Sequence, residues 1–315
     1  MHPTRLSPNA TTTHAGCGLC ALRSRRLFTG ALLAGAAGGT SFWATPAAAQ
    51  DGNPPGGLQG DVGRESRFTK LVSAEQVEGA ATQQYTKMMG EFSQKKAVAP
   101  DNHPQVIRLR AIAARITPFA PAWNPRAARW DWQVNLLGSP QINAFCMPGG
   151  KIAFYMGILA KLQLSDDEVA TIMGHEVAHA LREHARERMG KGMATQGAIE
   201  IGAAIFGLGN AGRMAAGMGG QLLSLKFGRD DETEADLVGM DLAARAGYDP
   251  AAGVSLWQKM MAANKGAPPQ FLSTHPAGAT RIKDIQGKLA KVQPLYERAA
   301  KPGQRFGPPG VQAAG

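Results

Sequence analysis

The 315-residue sequence has little cysteine, few aromatic residues and, outside its N-terminal segment, no run of about 20 apolar residues. Of its three cysteines, only Cys146 lies beyond that segment, so a processed chain has no intramolecular disulfide. Aromatic residues make up 6% of the chain, and no basic run is interleaved with them. The composition therefore excludes a disulfide scaffold and gives no indication of nucleic-acid binding.

What the sequence does contain is enough apolar material for a substantial core. Hydrophobic residues account for 44% of the chain, and 39 Gly and 20 Pro allow flexible ends. The formal charge is +10, but four arginines lie in the first 49 residues, which contain no acid. The remaining 30 basic and 24 acidic residues leave +6, a modest charge that favours solubility and indicates no particular partner.

The first 49 residues have the pattern of an export signal. Arg25-Arg26 is followed by a mildly apolar stretch to about residue 44 and by Ala47-Ala48-Ala49. Small residues at this place are typical of a signal-peptidase site, and the paired arginines are typical of twin-arginine signals. We therefore expect a periplasmic protein. An ordinary secretory signal and an uncleaved membrane anchor remain the alternatives.

The rest of the chain divides by composition. We expect a flexible lead-in over 50–72, a single domain over 73–301, and a disordered Gly/Pro-rich tail over 302–315. Within the domain, the Gly/Ala-rich stretch 190–228 predicts a helical hairpin or a lid. A surface that touches a membrane or a substrate is the alternative for this stretch.

Local patterns predict an α+β domain that is mostly helical. A Ser165…Glu168 capping box opens the predicted helix that contains residues 175–179. Three strand-like runs before it predict a small antiparallel sheet beside that helix. The predicted helices are 73–96, 104–116, 165–189, 231–245 and 250–263, and the predicted strands are 130–137, 141–147 and 151–155.

The motif is His175-Glu176-Val177-Ala178-His179. Residues four apart on a helix lie about 40° around the axis and about 6 Å along it, so both imidazoles can reach one ion. This H-E-x-x-H spacing is typical of zinc sites in which the glutamate acts as a general base. It predicts one Zn²⁺ per chain, held by His175 and His179, with Glu176 activating water. Such a site still needs a third protein ligand.

A second cluster supplies candidates for that ligand. Glu232 and Asp236 are four residues apart on a predicted helix and therefore share a face. One carboxylate can bind the metal while the other accepts a hydrogen bond from a ligating histidine. Glu234, two residues after Glu232 on the same predicted helix, is the competing candidate for the metal ligand.

H-E-x-x-H followed at long range by E-x-x-A-D resembles the gluzincin family of the CAAX prenyl protease, the HtpX heat-shock protease, and the Oma-type and BepA-type proteases. The resemblance extends from about residue 100 to 290. It includes Asn143-Ala144-Phe145 and Pro148-Gly149-Gly150 before the motif, and Thr274-His275-Pro276 and Arg281-Ile282 after the acidic cluster.

This resemblance implies a role for each matching residue. Glu232 becomes the third metal ligand and Asp236 the hydrogen-bond partner of a ligating histidine. His275 is expected near the metal, where it donates to the oxyanion or caps a resting site. Asn143 and Ala144 are expected to hold the substrate backbone. Arg281 is assigned to the substrate side as well, or orients the loop of His275.

Two further residues are expected to carry no chemistry of their own. The metzincin pattern needs Gly and His where this sequence has Arg182 and Ala185, so His184 is expected to be a hydrogen-bonding or solvated residue. Cys146 is expected to be a packed side chain. The strand around it is expected to be an edge that binds an extended peptide, or a purely structural strand.

Together these features predict a zinc metalloendopeptidase that acts on unfolded or misassembled exported proteins, with the quality-control role resting on the resemblance alone. The alternative is a metal-stabilised periplasmic chaperone or assembly factor with little or no proteolysis. The sequence predicts neither the natural substrate nor the oligomeric state.

Overall fold

The computed structural model describes residues 56–195, 226–264, 269–276 and 279–310. By its internal contacts the chain divides into two units, 1–51 and 52–315, and all described residues belong to the second. The predicted export signal and residues 196–225 of the predicted hairpin or lid lie outside the described residues. Among the helices that are described, none has the length and apolarity needed to span a membrane.

The described part is a mostly helical α+β unit, which confirms the predicted fold class. Short 3-10 helices cover Gln59–Asp61, Arg67–Leu71, Thr117–Ala122 and Pro125–Arg129. The longer elements are, in chain order, α1 (Ala74–Gln94), α2 (Pro104–Ile116), β1 (Gln133–Leu137), β2 (Ala144–Met147), β3 (Lys151–Tyr155), α3 (Met156–Leu162), α4 (Asp166–Leu181), α5 (His184–Thr195), α6 (Arg229–Arg245), α7 (Ala252–Ala263), α8 (Gln270–Thr274) and α9 (Ala279–Arg298).

The three strands form a mixed sheet in the order β1-β3-β2. β2 runs antiparallel to β3, as predicted, but β1 runs parallel to β3, so the prediction of a wholly antiparallel sheet is wrong. Gly149 and Gly150 have φ values of +83° and +79°, which favour glycine, and they turn the chain back after β2. The returning strand β3 pairs between the two earlier strands, and this leaves β2 at an edge.

The helix predicted over 165–189 is interrupted. α4 ends at Leu181 and α5 begins at His184, because Glu183 adopts the left-handed conformation with φ +56°. α4 is the central element of the unit, and most of its residues are buried, among them the charged Asp166, Glu168 and Glu176. It packs against α2, β2, α6 and α7. Its motif residues are therefore held on several sides.

Both ends of the predicted domain differ from expectation. In the predicted flexible lead-in, Leu58 is fully buried and its N–H donates to the buried carboxylate of Asp241 at 3.0 Å. In the predicted loose tail, the N–H groups of Phe306 and Gly307 donate to Asp166. Buried carboxylates need donors, and these terminal backbones supply them. Residues 56–72 and 302–310 thus pack on the unit, and 311–315 lie outside the described residues.

Candidate active site

The site is built on the middle of α4. Ser165 Oγ accepts from the Glu168 N–H at 3.3 Å, and Glu168 Oε2 accepts from the Ser165 N–H at 2.8 Å, which is the predicted capping box. The helix that it opens buries the three motif side chains, and none is more than 3% exposed: His175, Glu176 and His179. Imidazoles and a carboxylate buried together indicate a site rather than a solvated face.

Close contact between α4 and α6 brings the acidic cluster to the histidines. A Cβ on Gly174 would lie 2.6 Å from the carbonyl oxygen of Gly239, and a Cβ on Gly239 would lie 2.6 Å from the His175 nitrogen. The two helix backbones can approach this closely because both positions are glycine, which has no side chain. The sequence gives no pattern that pairs these two positions.

Four side chains converge at this contact. The Nε2 atoms of His175 and His179 are 3.1 Å apart, and each lies 3.6 Å from a Glu232 oxygen. His275 joins them from the end of α8, with its Nδ1 2.9 Å from Glu232 Oε1 and 3.3 Å from His175 Nε2. One donor atom from each of the four lies within 4.8 Å of every other.

This donor set fits a divalent metal ion. Zinc takes imidazole nitrogen and carboxylate oxygen at 2.0–2.2 Å, and tetrahedral ligands at that radius lie about 3.3–3.6 Å apart. The separations among His175, His179 and Glu232 run from 3.1 to 3.6 Å, close to that spacing. Of the two predicted carboxylates, Glu232 faces the histidines. Glu234, the competing candidate, bonds instead to His184 and Arg182.

Asp236 and Arg281 lie behind the cluster. Asp236 Oδ1 is 3.0 Å from His175 Nδ1, so this histidine presents Nε2 to the site. Arg281 donates to both Asp236 oxygens at 2.7 Å and to Glu232 Oε2 at 2.5 Å, and its guanidinium lies 3.6 Å from the centre of the Trp257 ring. Arg281 is only 6% exposed. It is therefore not the substrate-side residue that the sequence predicts, although its bond to the Pro276 carbonyl also steadies the loop of His275.

Glu176 lies beside the cluster with one oxygen available. Among the described residues, its Oε1 has no hydrogen-bond partner, and it lies 3.5 Å from His275 Nε2. Burial raises the pKa of Glu176 above its ordinary value. A carboxylate with raised proton affinity and an unused oxygen matches the requirements of a general base.

The charges of the cluster influence each other's proton affinity. For His275, burial lowers the pKa, but Glu176 and Glu232 raise it more, so it lies above the ordinary value. For Glu232, burial raises the pKa, but the hydrogen bond from His275 and the nearby positive charges lower it more. Glu232 is therefore ionised at neutral pH and can bind a cation.

A cleft opens next to the cluster along the sheet edge. Residues 143–147 line it together with Glu176, His179, Phe227 and His275. The cleft thus brings the predicted substrate residues Asn143 and Ala144 to the same side as Glu176. Within the described ranges, β2 pairs with β3 alone. Cys146, also on β2, is buried, and burial raises the pKa of its thiol well above the ordinary value.

Two aromatic residues and one histidine have places at the site that the sequence does not predict. The Phe227 ring stacks on His179 at 4.0 Å between centroids, and Trp257 lies under Arg281. His184, expected to be solvated or hydrogen-bonded, is 1% exposed, with its Nδ1 2.9 Å from the Nδ1 of His179. The two aromatic contacts join elements that are distant in sequence, and the contact of His184 depends on the break at Glu183.

Comparison with known protein families agrees with this geometry. Residues 107–289, more than half of the chain, match the family described as Peptidase family M48. The chain belongs to that family. The match includes the motif helix, the acidic cluster and His275, and the resemblance inferred from the sequence is confirmed.

The relatives of this M48 protein include named metalloproteases. "Mitochondrial metalloendopeptidase OMA1" of Schizosaccharomyces pombe is 30% identical over 234 residues, 74% of this chain and 66% of that protein. "Metalloprotease LoiP" of Escherichia coli is 27% identical over 203 residues, 64% of this chain and 77% of that protein. "Beta-barrel assembly-enhancing protease" of Yersinia pestis is 26% identical over 54% of this chain. The chain spans only about two thirds of the first relative and 37% of the third.

Proposed function

We propose that this M48 chain is a zinc-dependent endopeptidase. The observation that carries the proposal is the convergence of His175, His179 and Glu232, with the free oxygen of Glu176 beside them and a cleft in front. Three protein ligands with an accessible side are typical of catalytic rather than structural zinc. The names of the relatives agree with this reaction class.

Each residue then has a defined task in peptide hydrolysis. Zinc, when bound, lowers the pKa of water to about 7 and polarises a carbonyl. Glu176 takes the proton of the attacking water and returns it to the leaving amine. His275, buried between Glu232 and Glu176, donates to the oxyanion, a contribution of about 3–4 kcal/mol. Asp236 fixes the ring of His175 through Nδ1.

The substrate is proposed to be an extended polypeptide. β2 is an edge strand of the sheet in the described residues, and its neighbour Asn143 also lines the cleft. An edge strand binds an added strand through main-chain hydrogen bonds, which suits substrates of varied sequence. In this arrangement Asn143 and Ala144 hold the backbone next to the scissile bond.

The cellular setting is proposed from the N-terminus and from the relatives. Residues 1–49 carry a twin-arginine-type signal, and the Yersinia pestis relative is named for enhancing β-barrel assembly. We therefore propose that the protein acts in the periplasm, where it would degrade unfolded or misassembled exported proteins. Replacing Arg25 and Arg26 with Lys tests the twin-arginine route. If the protein uses this route, export of the variant is blocked and the unprocessed precursor accumulates.

The decisive test is Glu176→Gln in the purified chain. We expect casein cleavage to fall by about 10²–10⁴-fold while one zinc per chain is retained, because the variant loses the proton acceptor but no ligand. Glu168→Gln is the matched control: Glu168 is buried on the same helix but bonds to Ser165 and Lys259. An unchanged cleavage rate in Glu176→Gln would contradict the proposal. Unaltered cellular function in a variant that no longer cleaves casein would favour a metal-stabilised chaperone.

A further inference from the structure

The break after α4 places His184 in an unusual position. On an uninterrupted helix, a residue five positions after His179 would lie about 140° around the axis and face away from it. The left-handed conformation of Glu183 ends that geometry and turns the chain back. As a result, the buried His184 ring brings its Nδ1 to 2.9 Å from the Nδ1 of His179.

His184 is held in turn by a charged pair. Its Nε2 lies 2.8 Å from Glu234 Oε2, and the other oxygen of Glu234 accepts from Arg182 Nη2 at 3.0 Å. Arg182 also donates to the carbonyl of Gly63 at 2.7 Å. A row of polar contacts therefore runs from Gly63 through Arg182, Glu234 and His184 to His179.

The direction of the hydrogen bonds along this row follows from its carboxylate end. A carboxylate paired with an arginine only accepts, so His184 donates through Nε2–H to Glu234. With its proton on Nε2, His184 has a lone pair at Nδ1, which accepts from Nδ1–H of His179. His179 is thereby left with its lone pair at Nε2, the atom 3.1 Å from His175 Nε2 in the cluster.

The two histidines of the motif are thus supported in different ways. His175 donates from Nδ1 directly to Asp236, whereas His179 reaches its carboxylate, Glu234, through another imidazole. Stacking of Phe227 on His179 fixes the plane of that ring, and the Nδ1 contact fixes its rotation within the plane. Among the described residues, this contact is the hydrogen bond that Nδ1 of His179 makes, and it therefore selects the tautomer of the ring.

We propose that His184 is a positioning residue for His179, and that Glu234 and Arg182 hold His184 in the orientation this requires. The inference rests on the proposed function, because it assumes that His179 is a metal ligand. Groups that orient a ligating histidine typically change metal affinity about 10–100-fold when they are removed.

The test compares two replacements of His184 by metal affinity rather than by turnover. Asn can place its Oδ1 where His has Nδ1 and accept the same bond, whereas Leu fills similar space without an acceptor. In the full chain we expect His184→Leu to bind zinc about 10–100-fold more weakly in competition with a chelator, and to shift the visible spectrum of the Co²⁺-loaded form. We expect His184→Asn to retain the affinity and spectrum of the wild type.

The matched control is Asp241→Asn. Asp241 is also a buried carboxylate on α6 and bonds to Arg245 and the Leu58 N–H, away from the metal cluster. We expect it to lower stability and leave zinc affinity unchanged. If His184→Leu does not fold, Glu234→Ala replaces it, and we expect about 10-fold weaker binding there.

Three results would overturn the inference. The first is wild-type affinity and an unchanged Co²⁺ spectrum in folded His184→Leu or Glu234→Ala. The second is equal weakening in the Asn and Leu variants, which would mean that His184 acts by packing alone. The third is a wild-type chain that retains no metal, which would also overturn the proposed function and so is distinguishable from the other two.

Discussion

The N-terminal turn of α4 and the cluster around its motif both hold carboxylates, but only the N-terminal turn supplies each one with its own cation. Asp166 lies 2.7 Å from Arg108, Asp167 lies 2.8 Å from Arg305, and Glu168 lies 2.7 Å from Lys259. Three negative charges are thus matched by three positive ones. This turn has no charge left for a ligand, and its role is to hold the helix in place.

The motif cluster is arranged differently. Its three carboxylates are Glu176, Glu232 and Asp236. In the described residues Arg281 pairs with Glu232 and Asp236, and Glu176 has only His275 as an ion-pair partner. Three carboxylates and one guanidinium carry a formal charge of −2, the charge that one divalent ion balances. The comparison indicates that the matched charge at the N-terminal turn serves stability, and the unmatched buried charge at the motif cluster serves metal binding.

The largest effect is expected at the motif cluster, where the negative charge is unmatched. Glu232→Gln removes a ligand charge but keeps the side-chain shape, so we expect zinc to be lost and peptide hydrolysis to fall by about 10⁴-fold or more. Elemental analysis and a peptide-cleavage assay on the same preparation measure both quantities. Full zinc content in this variant would show that the excess of negative charge is not what holds the metal.

A smaller effect is expected at the N-terminal turn, where the charges are matched. Asp166→Ala leaves Arg108, a side chain with 0% exposure, without its carboxylate, and we expect the free energy of unfolding to fall by about 3–5 kcal/mol. Urea denaturation measures the loss, while zinc bound per folded chain stays constant. Asp101→Ala is the control, because its pair with Arg110 is exposed and contributes about 0.5 kcal/mol or less. A comparable loss in both variants would contradict the contrast.

How far the sequence predicts this arrangement depends on how local each signal is. The capping box, the H-E-x-x-H spacing and the Glu232/Asp236 spacing each lie within one helix, where position along the chain determines which side chains share a face. The pairing of His175 with His179 and of Glu232 with Asp236 therefore follows from spacing, whereas the choice of Glu232 as ligand and the place of His275 rest on the family resemblance. The direction of β1 does not, because strand pairing across a turn depends on contacts that no local pattern encodes.

The contacts that support the site are the part that sequence patterns miss. The role of His184 depends on a left-handed residue, Glu183, within an otherwise helical pattern, and nothing in the sequence marks that break. Phe227 and Trp257 reach the site from elements that are distant in sequence. The sequence assigns Arg281 to the substrate side, yet its charge is used by two buried carboxylates. Such contacts follow from packing, which is non-local.

The smallest effect concerns acid stability. Burial raises the pKa of Asp236, but Arg281 and the hydrogen bond with His175 lower it further, to about 2, against 3.8 for the ordinary group. A depressed folded-state pKa stabilises the fold above about pH 4, and this stability is lost as pH falls towards 2. The contribution is about 2 kcal/mol. We expect the free energy of unfolding of the metal-free chain to fall by this amount between pH 4 and 2. In Asp236→Asn, we expect that free energy to depend less steeply on pH over the same range. An identical slope in that variant would mean that Asp236 is not held ionised by Arg281.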